Sequence, residues 1–181
     1  MEKTLLKRFA GIVATGALFL TMSAEARNLQ VSIEIPRLNV AEYHKPYVAV
    51  WLEDESRSAT QIAVWYDVGM RNNEGEKWLK DLRQWWRRGG RALDVPVDGI
   101  TSATYGPGEH TLEVSIAGSD LAKLAPGKYR LRVEAAREVG GRELVEIPLT
   151  WPLEESELPL SAAGNEELGR VRIALASASD N

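Results

Sequence analysis

The chain has 181 residues, 26 Asp and Glu against 22 Lys and Arg, a formal net charge of −4 and no cysteine. That length suits one domain, and the acidic balance speaks against a general nucleic-acid binder, whose domains are usually basic. Without cysteine there is no thiol nucleophile, no disulfide exchange, no haem held through C-x-x-C-H and no cysteine-held iron–sulfur cluster, and the two histidines, His44 and His110, lack metal-ligand spacing.

In chain order the first element is a targeting segment. "MEKTLLKR" carries Lys3, Lys7 and Arg8, "FAGIVATGALFLTM" follows as an uncharged apolar run, and "SAEA" sets Ala24 and Ala26 in an A-x-A arrangement. This is the layout of a secretory signal peptide. An uncleaved anchor is the competing reading, but the run is shorter than the roughly 20 residues that span a bilayer. The expectation is a signal peptide over 1–26 cleaved after Ala26, a single domain over 27–176 and a disordered tail over 177–181. An exported domain of this size can bury enough apolar surface to fold without disulfides.

Period-two alternation dominates the chain beyond residue 26. "LQVSIEI" sets Leu29, Val31, Ile33 and Ile35 on one face, whereas "YVAVWL" (47–52) and "QIAVWYDV" (61–68) are apolar on both faces, as in inner strands. "NNEGEKWLKDLRQWWRRGGR" breaks the pattern: Trp78, Leu79, Leu82, Trp85 and Trp86 recur at helical spacing and predict one amphipathic helix. Asn73, with Glu76 three residues on, gives it a capping-box-like start, Arg87 and Arg88 suit its C-terminal end, and Gly89-Gly90 stops it. "ALDVPVDGITSATYGPG" then reads as an exposed loop leading to the strand "HTLEVSI".

"LAPGKYRLRVEA" turns at Pro126-Gly127 into a strand with Leu131, Val133 and Ala135 on one face against Arg130, Arg132 and Glu134 on the other. "EVGGRE" is a two-residue Gly-Gly hairpin signal into "ELVEIPLTW", where Pro148 favours a sheet edge. Residues 152–166 read as a long loop, and "GRVRIAL" is the last strand. About seven strands with turn signals between them predict an all-β fold, a β-sandwich with one inserted helix. The L-x-P-G-x-Y pattern at 124–129 resembles strand entries in immunoglobulin-like and transthyretin-like sandwiches.

The segment with chemical content is "DGITSAT", Asp98 to Thr104. A polar loop ending in a hydroxyl can enter another enzyme's cleft and act there as a nucleophile. Its bland reading is an Asp-Gly turn. The stretch resembles D-x-x-S/T-G/S-A-T, the flavinylation signal read by bacterial FAD:protein FMN transferases. Asp98, Thr101, Ser102, Ala103 and Thr104 each fit, although the commoner form has Gly where Ser102 stands. The resemblance implies that Thr104 receives the FMN moiety of FAD as a phosphoester, with Asp98 helping to register the loop and small residues at 102 and 103 letting the backbone approach closely.

Trp85 and Trp86, with Arg83, Arg87, Arg88 and Arg91, form an aromatic and basic cluster just before the motif. One reading makes it a flavin platform, in which an indole stacks on the isoalloxazine and an arginine meets the phosphate or reduced ring. The other makes the tryptophans core and the arginines solvated, which is the usual fate of an apolar helix stripe. His44, in "YHKPYVAVW", is a surface histidine or a proton-transfer group.

Nearly all of the chain after residue 26, from "EIPRLNVAEYHKPYVAVWLEDE" through "VDGITSAT" to "LAPGKYRLRVEAAREVGGRELVEIP", resembles a family of predicted periplasmic proteins known as domain of unknown function two-two-seven-one. The resemblance implies a periplasmic location and an association with flavin transferases and PepSY-type membrane reductases. Together the two resemblances imply an exported carrier of covalent FMN that passes electrons between a membrane reductase and another acceptor. Such a protein is a transferase substrate more than an enzyme. The alternative is a cofactor-free sandwich serving as a binding module or adaptor for a periplasmic or membrane partner.

Overall fold

A computed structural model describes residues 27–177. The segment read as a signal peptide and positions 178–181 of the tail lie outside the described residues. Among the described residues nine strands form two sheets: β1 (Arg27–Ile35), β2 (Tyr47–Asp54), β3 (Ala59–Tyr66), β4 (Thr101–Ala103), β5 (Gly108–Ser115), β6 (Gly127–Ala136), β7 (Arg142–Trp151), β8 (Leu160–Ala163) and β9 (Arg170–Ser177). One sheet runs β5-β1-β9-β8, the other β4-β3-β2-β6-β7. The sequence-based β-sandwich is therefore the observed architecture.

The alternation explains how the sheets meet. Leu29, Val31, Ile33 and Ile35 of β1 face Val48, Val50 and Leu52 of β2 and Leu131, Val133 and Ala135 of β6, all buried in one inter-sheet core. β2 and β3 are inner strands whose second faces are also buried, through Ala49, Trp51, Val64 and Tyr66, in a separate cluster outside the sandwich. β7 is an edge strand, as Pro148 suggests, and there the missing N–H costs no inner ladder bond.

The sequence reading differs from the structure at the helix, at the Gly-Gly turn and in two loops that contain strands. The single amphipathic helix is instead a 3-10 segment, Arg71–Asp81, followed by a short helix α1, Arg83–Arg87. Asn72 and Asn73 both take φ of 55°, which helical geometry forbids, and no side chain caps the segment's start. α1 is capped from outside: the buried carboxylate of Glu134 on β6 accepts from the backbone N–H of Gln84 (2.9 Å) and Trp85 (2.8 Å). The sequence pattern places Glu134 on a polar face, and its polar task is to satisfy those donors and the Arg142 guanidinium at 2.9 Å.

The Gly-Gly turn is a five-residue loop, 137–141, because the Arg137 N–H bonds the Gly141 carbonyl and Glu167 reaches in to accept from both Arg137 and Gly141. The long loop at 152–166 contains β8, and the exposed loop before β5 contains β4.

Candidate functional site

β4 is "TSA" of the motif, added in parallel to β3 with Thr101 opposite Val64, Ser102 opposite Trp65 and Ala103 opposite Tyr66. The motif is thus a turn followed by an edge strand. Asp98 is exposed at the start of the turn, and Gly99 takes φ of 74°, a conformation that costs glycine nothing. The turn closes when the Thr101 N–H bonds the Val97 carbonyl (2.9 Å), and Thr101 Oγ1 accepts from the Val97 N–H in return (2.9 Å). Ile100 packs into the outer cluster and anchors the turn.

Thr104 sits where β4 ends. Its N–H donates to the Tyr66 carbonyl (3.1 Å), and its hydroxyl donates to the carbonyl of buried Pro46, in the segment entering β2. Thr104 also lines a cavity of about 380 Å3 whose walls include Lys45 and Tyr47 at the entry to β2, Met70 just before the 3-10 segment, Trp78 on it, and Val139 at the tip of the β6–β7 loop. That volume falls within the roughly 300–1,000 Å3 of small-molecule sites. Thr101 and Ser102 face a different depression, of about 500 Å3, between β4 and β5. There Tyr105 stacks on His110 with centroids 4.6 Å apart and meets Trp65 edge-on at 4.8 Å.

The other site residues read from sequence separate. Trp85 is fully buried, its indole N–H donating to Gln61 Oε1 (2.7 Å), and Trp86 is half-buried against it with centroids 6.3 Å apart. Neither lines the cavity beside Thr104; the tryptophan that does is Trp78, 46 % exposed. The arginine cluster is not a unit either: Arg83, Arg87 and Arg91 are exposed, and Arg88 bonds the buried Glu53 carboxylate at 3.0 Å. His44 lines the cavity, but its ring nitrogens lie 3.0 Å from Glu42 and 3.6 Å from Glu138.

Electrostatically the cavity is mixed. Asp67, Asp81 and Glu138 line it together with Lys45 and Arg137. Arg137 is committed to Glu167 by two bonds of 2.9 and 3.0 Å, so Lys45, exposed and without an ion pair among the described residues, is the available cation. Burial pushes the Tyr47 phenol above its ordinary value and keeps it a neutral hydrogen-bonding group. Met70 (37 % exposed), Trp78 and Val139 (78 % exposed) give the same cavity an apolar wall.

A hydroxyl, a free cation, three carboxylates and aromatic and aliphatic surface thus line one cavity. Sequence reading missed Lys45, Met70 and Val139 because the cavity is assembled from segments far apart in the chain. Trp78 was visible only as part of an apolar stripe.

These features define a class: a two-sheet β-sandwich with a helical insert over its outer face and a small-molecule-sized cavity beside a hydroxyl-bearing edge strand. The chain belongs to the family described as Predicted periplasmic protein (DUF2271), whose model matches residues 28–170. No curated protein and no solved structure matches it. No helix among the described residues is long and apolar enough to cross a membrane.

Proposed function

We propose that the protein is a periplasmic carrier of FMN bound covalently at Thr104, serving electron transfer between a PepSY-type membrane reductase and another acceptor. The observation that supports this most is the junction of motif and cavity. The threonine that completes the D-x-x-T-S-A-T pattern is the motif residue that lines the cavity with the apolar wall.

In the attachment step Thr104 Oγ1 attacks the FMN-side phosphorus of FAD, held with its metal in the transferase. The pyrophosphate bond breaks, AMP leaves, and the hydroxyl proton passes to the transferase's base. Bound flavin supplies reversible two-electron chemistry; the protein supplies position, charge and exclusion of water. Tyr47 offers a neutral phenol and Lys45 a cation, in a cavity that Asp67 and Asp81 also line. A tether serves a carrier outside the cytoplasm, where a dissociated cofactor diffuses away.

The test is coexpression with an FAD:protein FMN transferase, then intact mass and peptide mapping. The expected result is one added FMN, less one water, which survives denaturant, maps to Thr104 and is lost in Thr104→Ala. Unmodified protein from cells with an active transferase overturns the reading and leaves the cofactor-free adaptor in its place.

A further inference from the structure

The apolar wall of the Thr104 cavity calls for an explanation of its own. Six large hydrophobic side chains are exposed among the described residues, and three of them, Met70, Trp78 and Val139, converge on this one cavity from two distant stretches of the chain. Scattered exposed apolar residues need no account, but a convergent set marks a surface that something covers.

Val139 sharpens the point. It is 78 % exposed and sits at φ of 52°. A β-branched residue strongly resists left-handed backbone, where glycine or asparagine is at ease. An exposed loop tip gives a bulky apolar side chain no packing in return. Strain held at such a position is characteristic of ligand sites.

We infer that this cavity seats the isoalloxazine ring of the flavin tethered at Thr104, with Trp78 as its stacking face, Val139 and Met70 as its apolar wall and Lys45 as the cation beside the phosphoester. The inference rests on the Thr104 reading and adds the place and partners of the ring. Lys45 adjoins Pro46, the residue whose carbonyl holds the Thr104 hydroxyl, so the cation stands at the tether end of the cavity. Trp78 and Met70 line the same cavity, and an indole there can stack on a flat heterocycle. The ribityl chain links the two ends. Trp85 and Trp86 lie off the cavity and take no part.

The test uses the full chain, flavinylated by coexpression, with three readouts: intact mass, flavin fluorescence and thermal melting. In the wild type the folded protein should fluoresce several-fold less than the same sample in denaturant, because an indole stacked on the ring quenches it. Trp78→Leu should recover most of that fluorescence with the added mass unchanged, whereas Trp86→Leu should not. Val139→Asn should move two readouts together: a higher melting temperature from relieved strain, and brighter flavin from a weakened wall.

Full modification with bright flavin in the folded wild type, or quenching that Trp78→Leu leaves intact, overturns the seat while the attachment at Thr104 stands. Quenching that is instead lost in Tyr105→Leu moves the ring to the depression between β4 and β5. Absence of added mass in the wild type overturns the attachment itself, and the seat with it.

Discussion

The two faces of the β4-β3-β2-β6-β7 sheet are both buried, but they are built differently. The inner face is covered by the second sheet and closed by aliphatic and aromatic side chains such as Val50, Leu131, Trp151 and Ile173. The outer face is covered by the 3-10 segment and α1, and there Trp51, Tyr66, Leu82 and Trp85 share the interior with two buried carboxylates, Glu53 and Glu134. A sheet brings its own hydrogen-bond partners to a sandwich. A short helix laid on a sheet brings unsatisfied N–H groups, and the sheet must supply acceptors for them. The inner face therefore needs only shape, and the outer face needs shape and charge together.

Substitutions can break this contrast. The largest effect is expected for Trp85→Ala, which removes a fully buried indole and the donor to Gln61 Oε1, costing about 3–5 kcal/mol. Leu131→Ala on the inner face should cost about 2–5 kcal/mol by cavity formation alone. Urea denaturation of both variants checks that the outer layer unfolds with the sandwich. A Trp85→Ala protein that melts like its parent would make that layer an appendage.

Next comes Glu134→Ala, which leaves the Gln84 and Trp85 donors unpaired and should cost roughly 1–3 kcal/mol. Hydrogen exchange should accelerate at α1 before it does in β6. If both accelerate equally, the cap is not specific to the helix.

A smaller effect is tied to pH. Burial alone would raise the Glu143 carboxyl, but the backbone N–H groups of Asn165, Leu168, Glu166 and Glu167 converge on it and hold it below the ordinary 4.5. A carboxylate whose folded pKa is depressed stabilises the fold above its unfolded pKa, and that contribution disappears as pH falls through the folded value. Melting temperatures of the wild type and Glu143→Gln should differ at neutral pH and converge as pH drops below 4.5. A gap that stays constant with pH would assign the loss to packing.

Least is expected of Thr104→Ala, about 0.5–1.5 kcal/mol for one hydrogen bond, beside complete loss of modification.

The same contrast explains what the sequence revealed. The inner face was readable because period-two alternation in "LQVSIEI" and "YRLRVEA" is itself the record of a two-sided sheet with one dry face. The outer layer was only half readable. Leu79, Leu82 and Trp85 were identifiable as a buried stripe, but the break at Asn72 and Asn73 was not, because a left-handed pair inside a capping-box pattern is set by what the segment must cover. Glu134 was readable only as a member of the face with Arg130 and Arg132, since alternation says nothing about what lies over that face. At the candidate site the motif could be read residue by residue. The rest of the cavity lining could not, since Lys45, Trp78 and Val139 share one cavity only after folding.

The edge strand that carries the motif also bears on timing. β4 is three residues long and parallel, and the residue after it, Thr104, is held by both its N–H and its hydroxyl. If Thr104 is the acceptor proposed above, a transferase and the sheet edge compete for the same residues. A chain reached during export offers the segment freely, whereas a chain that has folded offers it only during local opening of the edge. On that proposal, the occupancy of the site records a race between export, folding and the modifying enzyme, set by how firmly three residues cling to β3.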